Sequence, residues 1–166
     1  MGYRVGLTYN VKAQYANGLG IDSKLAKYIP AGLPNAGPHH YLTVALGSVT
    51  HVLSEPVGGV VTVENKYRTD AWGVPLVDVV TVPNRYGFTG RERDAESSLM
   101  HYRARAYDPG TGSFLQNDPI VRNRATEGYR HARNNPLMYT DPTGEDWRLG
   151  EFQMPLNPSE DGSGSP

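Results

Sequence analysis

Cysteine is absent from the 166 residues. That excludes a disulfide framework, a thiolate metal site and thiol catalysis. No apolar run approaches the roughly 20 residues of a membrane-spanning helix. The opening stretch MGYRVGLTYN has no apolar core of a secretory signal and no Ser or Thr where a myristoylation signal needs one. Phe (3) and Trp (2) are scarce, and no charge sign dominates, the net being −1. Charge is uneven along the chain, however. From Arg85 to Arg133 nine Arg face six acids, and from Asp141 onward six acids face one Arg. A basic middle and an acidic end suit mutual attraction and do not form a nucleic-acid footprint.

What is abundant points to β structure. Gly (19), Pro (13) and Tyr (11) are plentiful, and 38% of residues are hydrophobic. Gly and Pro interrupt helices while Tyr favours strands, so the composition predicts a mainly β chain with many turns and a modest core. Strand-like pieces recur, each closed by Gly, Pro or Asn: YRVGLTYN, VKAQYANG, YLTVALGSVTHVLS, the segment Val60 to Tyr67, and VPLVDVVTVP. Glu55 to Gly59 reads as the hairpin loop before Val60. The one helix candidate is DSKLAKYI, capped by Asp22 or Ser23 and stopped by Pro30, but it is two turns long and reads equally as a strand. In YRTDAWG, Tyr67 ends a strand, Asp70 is expected to accept backbone N–H groups at the turn, and Gly73 to take the positive-φ position. A single hairpin of this kind cannot bury its own face, so the motif implies an array extending upstream, and open strand edges predict aggregation of the isolated chain.

HYRARAYD alternates as one strand, with His101, Arg103, Arg105 and Tyr107 on one side and Tyr102, Ala104, Ala106 and Asp108 on the other. Its Arg face suits a carboxylate or a cargo peptide; a solvated face with the small residues packed inward is the favoured reading. His39 and His40 are adjacent on a strand and therefore face opposite ways, which disfavours a shared metal. ALGSVT lacks the Gly-Lys-Ser/Thr of a phosphate loop. Asn134 to Pro136 reads as a turn leading into LMYT. No cofactor or metal motif is found.

Asp precedes Pro three times, at Asp108, Asp118 and Asp141. Asp-Pro is ordinary turn chemistry, and YDPGTG around Asp108 has the make-up of a structural turn. Two carboxylates placed together offer more. One deprotonated carboxylate activates water while its protonated partner polarises the scissile carbonyl. The following Pro fixes the chain and removes a competing N–H.

The ordered set GLGIDSKLAKY, HYLTVALGSVTHVLSEPVGGVVTVENKYRTDAWGVPL, NRYGFTGRERDAESSLMHYRARAYDPGTGSFLQNDPI and GYRHARNNPLMYTDPTGE closely resembles the repeat-associated core of the bacterial Rhs/YD-repeat polymorphic toxin proteins. The resemblance covers about residues 3–145. It implies YD-repeat β-hairpins leading into the plug of a hollow shell, with a C-terminal toxin cargo inside and an aspartyl autoprotease that frees it. It implies Asp118 and Asp141 as the catalytic pair, with cleavage just after DPTG. It divides the chain into a hairpin region (1–82), a core-motif region (83–145) and a variable, flexible tail (146–166). Expected partners are the upstream YD-repeat shell of the same protein and the toxin, with no nucleic acid and no membrane segment. The expected setting is bacterial, secreted or at the cell envelope.

Two positions depart from the family pattern. Asn117 stands where the family often has an Arg, and Glu145 and Asp146 stand where an apolar residue usually follows DPxG. A third carboxylate beside the pair raises the cost of ionisation, so either the bond cut shifts toward Leu149-Gly150 or cleavage is lost, and an inactive structural module from an orphan or truncated cassette is the alternative.

Overall fold

The computed structural model describes residues 11–120 and 127–149. The expected strand YRVGLTYN and the tail from residue 150 onward, including Gly150, lie outside the described residues. The fold is mainly β, as composition predicts. Six strands form an antiparallel meander: β1 Gln14–Asn17, β2 Lys24–Ile29, β3 Gly37–Thr43, β4 Val49–Ser54, β5 Val63–Thr69 and β6 Pro75–Val80, each paired with the next. The helix alternative for Asp22–Ile29 fails because two turns give too few internal hydrogen bonds to stand alone. Lys24–Ile29 instead pairs with strands on both sides.

One face of this sheet is buried. Lys27, Ile29, His39, Tyr41, Val52 and Asn65 lie under cover, while Tyr28, His40, Leu42 and Val79 of the opposite face are exposed. Asn65 is fully enclosed yet satisfied: its Oδ1 accepts from the N–H groups of Thr81 (2.8 Å) and Val82 (2.9 Å), and its Nδ2 donates to Val82 O (2.7 Å). Such complete pairing removes the penalty of a buried amide. Tyr67 does not end its strand, which runs on to Thr69; Asp70 Oδ1 accepts from Trp72 N and Val74 N, both at 2.9 Å. Gly73 takes φ +93°, and a Cβ there would stand 2.8 Å from the Phe88 ring.

A second antiparallel sheet follows: β7 Glu92–Arg93, β8 Met100–Tyr102, β9 Arg105–Asp108 and β10 Ser113–Phe114, in the order β10-β9-β8-β7. Its core is aromatic, made of Phe88, Met100, Tyr102, Tyr107 and Phe114. The two sheets are stitched by Tyr107 Oη donating to Trp72 O (2.7 Å), Thr89 N donating to Ser48 Oγ (2.8 Å), and a Thr89–Tyr102 hydroxyl pair. A last hairpin joins β11 Tyr139–Thr140 to β12 Arg148–Leu149. Strand structure therefore continues into residues 148–149, within the stretch expected to begin the flexible tail.

HYRARAYD is not one strand. It is the β8–β9 hairpin, with Tyr102 opposite Arg105 and Arg103 at φ +56° in the turn between them. The turn reverses the alternation, so Tyr102, Arg105 and Tyr107 are all buried while Ala104 is exposed. The favoured solvated-face reading is corrected here: at Arg105 the arginine goes inward.

Candidate functional site

Three short segments converge on the buried end of Arg105. Phe114, from β10, lies flat beneath it, the guanidinium carbon 3.7 Å from the ring centre. That stacking holds the planar group in one orientation. Its Nη1 donates to Gly128 O at 3.0 Å, and its Nε donates to Gly144 O. Its Nη2 lies 3.0 Å from Asp118 Oδ2 and 3.0 Å from Asp141 Oδ2. The two carboxylates nominated from the sequence thus meet on a single nitrogen, and their Oδ2 atoms are no farther apart than twice that distance. All three side chains are at least 94% buried, with exposures of 2% for Arg105, 6% for Asp118 and 4% for Asp141. Like charges at such range repel strongly, and the cation between them offsets that repulsion.

Each carboxylate is also fixed locally. Asp118 follows β10 and accepts Ile120 N on Oδ1 (2.8 Å), and its own N–H donates to Gly128 O (2.8 Å). Asp141 follows β11 and opens the loop that β12 closes. Its Oδ1 accepts from Gly144 N (2.8 Å), Glu145 N (3.1 Å) and Asp146 N (3.1 Å). The loop thus folds back around its own first side chain. Gly144 makes this possible: at φ +74° it runs so close to β8 that a Cβ would come within 2.2 Å of Tyr102 O.

The loop is held from outside by two more arginines. Pro142 O accepts from Arg91 Nη1 (3.1 Å) and from Arg103 Nη1. Both guanidinium groups also pair with Asp22 Oδ1, in the turn before β2. The first sheet and the 141–146 loop are therefore tied through one carboxylate. Burial lowers the Arg91 pKa to about 10, with Arg103 nearby adding to the shift. Arg91 remains a cation at neutral pH. Beneath Arg105, His131 is wholly enclosed by Phe88, Tyr102, Tyr107 and Phe114, its ring centre 4.3 Å from that of Tyr107. Neither of its nitrogens has a hydrogen-bond partner among the described residues. Burial, reinforced by Arg105, pushes its pKa down to about 3.

The remaining candidates are structural. Asp108 caps its own turn, accepting Gly110 N (2.8 Å) and Thr111 Oγ1 (3.0 Å). His39 and His40 do face opposite ways, the first buried against Glu64 (2.6 Å), the second exposed beside Glu55 (2.6 Å). A cavity of about 440 Å3 opens beside Pro142, walled by residues such as Asp22, Leu46 and Leu149, and neither catalytic candidate lines it. Arg105 is the residue that sequence reasoning undervalued. The signal was present in the Arg-Ala-Arg alternation, which suits a carboxylate. Asn117 removes a cation beside Asp118 in sequence, yet Arg105 brings one to it in space.

No family model matches the chain. Among curated proteins, the chain is 37% identical over 86 residues to the tRNA nuclease WapA of Bacillus subtilis, 41% over 59 residues to the toxin subunit YenC1 of Yersinia entomophaga, and 39% over 78 residues to the probable deoxyribonuclease RhsA of Dickeya dadantii. These relatives are Rhs-family and toxin proteins. The matches cover 48%, 36% and 46% of this chain and only 4%, 6% and 5% of those proteins. Among solved structures, a crystal structure of TcdB2–TccC3 without its hypervariable C-terminal region superposes with a TM-score of 0.60 at 23% identity, over 72% of this chain and 6% of that one. That likeness establishes the shared β fold.

Proposed function

We propose that this chain is the C-terminal core of an Rhs-type toxin-encapsulating shell, and that it cuts its own backbone just after DPTG by an aspartyl mechanism. In this reading residues 1–82 are the last YD-repeat-like hairpins, 83–145 form the core, and the residues beyond lead toward a toxin cargo in a secreted bacterial protein. The relatives support the toxin context. The observation that carries the chemical reading is the convergence of Asp118 and Asp141 on Arg105 Nη2, each at 3.0 Å. One carboxylate takes a proton from an attacking water while the other returns one to the departing nitrogen. Arg105 keeps the pair together in a site shielded from bulk solvent, where their charges are little screened. The burial of all three side chains fits a reaction confined to the chain's own backbone rather than one on a diffusing substrate.

A second reading draws on one specific contact set. Three backbone N–H groups converge on Asp141 Oδ1. A corner built this way also serves an inactive plug. The test joins a stable reporter domain after Pro166, supplies the upstream repeats, and measures the intact mass of the purified product. The expected result is a cut close after Gly144 that Asp118→Asn and Asp141→Asn each abolish. An uncut, folded wild-type product overturns self-cleavage and leaves the plug.

A further inference from the structure

We propose that residues 131–140 form a docking site for the chain just downstream of the cut, in which Arg133 and Tyr139 clamp the Trp147 indole and keep residues 145–149 bound to the core after the peptide bond is gone. The inference rests on the self-cleavage reading above and goes beyond it, to the fate of the new N-terminal end.

The site is built on a strained turn. Ala132, Arg133 and Asn134 all have positive φ, at +47°, +53° and +58°. Asn tolerates that region, whereas the Cβ clash penalises Ala and Arg there. The surrounding fold imposes the turn. His131 is fully buried and Ala132 is 1% exposed, and the N–H groups of Asn134 and Asn135 donate to His131 O and Ala132 O, both at 2.9 Å. A backbone held in such a conformation by its surroundings is a pointer to function. Here it brings the Arg133 guanidinium over the Trp147 indole, the guanidinium carbon 4.5 Å from the ring centre. Tyr139, whose N–H donates to Asn135 O (3.0 Å), meets the same indole in a T-shaped contact, with ring centres 5.2 Å apart and planes at 82°. A cation over the face and a second ring at right angles are both favoured partners for an indole.

Trp147 lies beyond Gly144, so the clamp grips the far side of the bond. Two further holds lie on that side. Asp141 Oδ1 accepts from Glu145 N and Asp146 N, each at 3.1 Å, and Arg148 and Leu149 pair with Thr140 and Tyr139 in the β11–β12 ladder. None of these contacts passes through the Gly144–Glu145 bond. Hydrolysis there adds one water and leaves a carboxylate on Gly144 and an α-amine on Glu145, which is mainly protonated at neutral pH. The neutral N–H beside Asp141 Oδ1 thus becomes an ammonium, and a charge-assisted hydrogen bond is stronger than the neutral donor's bond it replaces. The cut therefore tightens the hold at Glu145. Trp147 keeps 42% of its surface exposed, so the ring leaves the clamp without the core having to open. The ligand class is an extended peptide with a free N-terminal amine and an indole at its third position.

The test uses the full chain with its upstream repeats and a stable reporter domain after Pro166. Fragment masses first confirm the cut. Co-elution of the two fragments on a sizing column is then measured, and release of the reporter fragment is timed after dilution. Wild type, Arg133→Asn, Trp147→Ala and Trp147→Tyr are compared. The wild-type reporter fragment is expected to travel with the core. Arg133→Asn suits the positive φ, so its urea midpoint should match or exceed that of wild type, yet it should release the fragment about 3-fold faster or more, for want of the cation. Trp147→Ala loses both partners of the ring and should release it about 10-fold faster or more. Trp147→Tyr keeps a ring in the clamp and recovers part of the retention. All three variants are expected to be cut at the wild-type bond and rate. A fragment that leaves the wild-type core at once, or equal retention in all four proteins, overturns this inference and leaves the self-cleavage reading standing. So does a fall in the urea midpoint of Arg133→Asn that accounts for its faster release, since the turn would then be structural only. If Arg133→Asn does not fold, the two Trp147 variants decide. A wild-type chain that is never cut overturns the self-cleavage reading itself, and this inference with it.

Discussion

Asp118 Oδ2 and Asp141 Oδ2 each lie 3.0 Å from the same nitrogen of Arg105, so two carboxylates far apart in sequence share one cation. Asp141 Oδ1 accepts three backbone N–H groups, and Asp118 Oδ1 accepts Ile120 N. Asparagine offers one acceptor oxygen, so Asp141→Asn must give up either the three N–H groups or the cation. We expect Asp141→Asn to cost about 3–5 kcal/mol, the range for breaking a buried ion pair. Asp118→Asn breaks the same kind of buried pair with Arg105 and should cost a similar amount. Urea midpoints of the two variants check this; a loss below about 1 kcal/mol in either would mean that its pairing with Arg105 contributes no more than a surface ion pair.

Asp22 joins the first sheet to the 141–146 loop through Arg91 and Arg103. Its side chain and that of Arg91 are 13% and 5% exposed. Asp22→Ala leaves a buried cation without its carboxylate, at a cost of about 3–5 kcal/mol. The comparison is Asp78→Ala, which breaks a pair whose side chains are 32% and 36% exposed and should stay within about 1 kcal/mol of wild type. Denaturation of both variants under one set of conditions reads the contrast. If the reporter is cut in wild type, Asp22→Ala should also slow the cut, because the loop loses its outer anchor.

Much of this architecture is legible in the residues. Gly, Pro and Tyr abundance gives the β class, and the Asp70 turn follows from YRTDAWG because an Asp carboxylate before a positive-φ Gly has N–H groups within reach. The Asp-Pro pairs at 118 and 141 stand out for the same local reason. Arg105 does not, since its burial depends on a two-residue turn at Arg103–Ala104 that has none of the Asn-Gly chemistry usual in tight hairpins. Without that turn the alternation of HYRARAYD runs on and sends Arg105 outward with Arg103. Strand β2 was ambiguous because DSKLAKYI is only two turns long, and the decision came from its partners β1 and β3. Convergence of Gly128, Gly144 and Arg105 is a tertiary fact with no local signature at all.

Gly144 and Gly58 provide a paired test of close approach. Both have positive φ, +74° and +60°, but only at Gly144 does a Cβ meet another backbone, at 2.2 Å from Tyr102 O. Gly58→Ala meets open space and should cost about 1–2 kcal/mol from its backbone conformation alone. Gly144→Ala adds a collision with β8 that only movement of the loop relieves, so it should cost more than Gly58→Ala and abolish any cleavage. Urea midpoints together with the reporter assay measure both; equal costs would show that the loop gives way without strain.

His131 makes stability depend on acidity in a predictable direction. Its folded pKa is depressed to about 3 from the ordinary 6.5, by burial first and by Arg105 second. Between those two values the unfolded chain binds a proton that the folded chain refuses. The unfolded state therefore gains as pH falls, and the stability present above pH 6.5 is lost progressively toward pH 3. One proton per pH unit is about 1.4 kcal/mol, so roughly 2–3 kcal/mol should be lost between pH 6.5 and pH 4.5 on this account. Carboxylates of the fold add their own slopes, and His131→Phe isolates the part due to the imidazole. Phe matches the surrounding aromatic rings and leaves no titrating group in the cage. Urea midpoints at the two pH values should show a smaller acid loss in His131→Phe than in wild type. The same acid loss in both proteins would mean that His131 takes up its proton inside the fold, with Arg105 and the aromatic cage yielding to admit it.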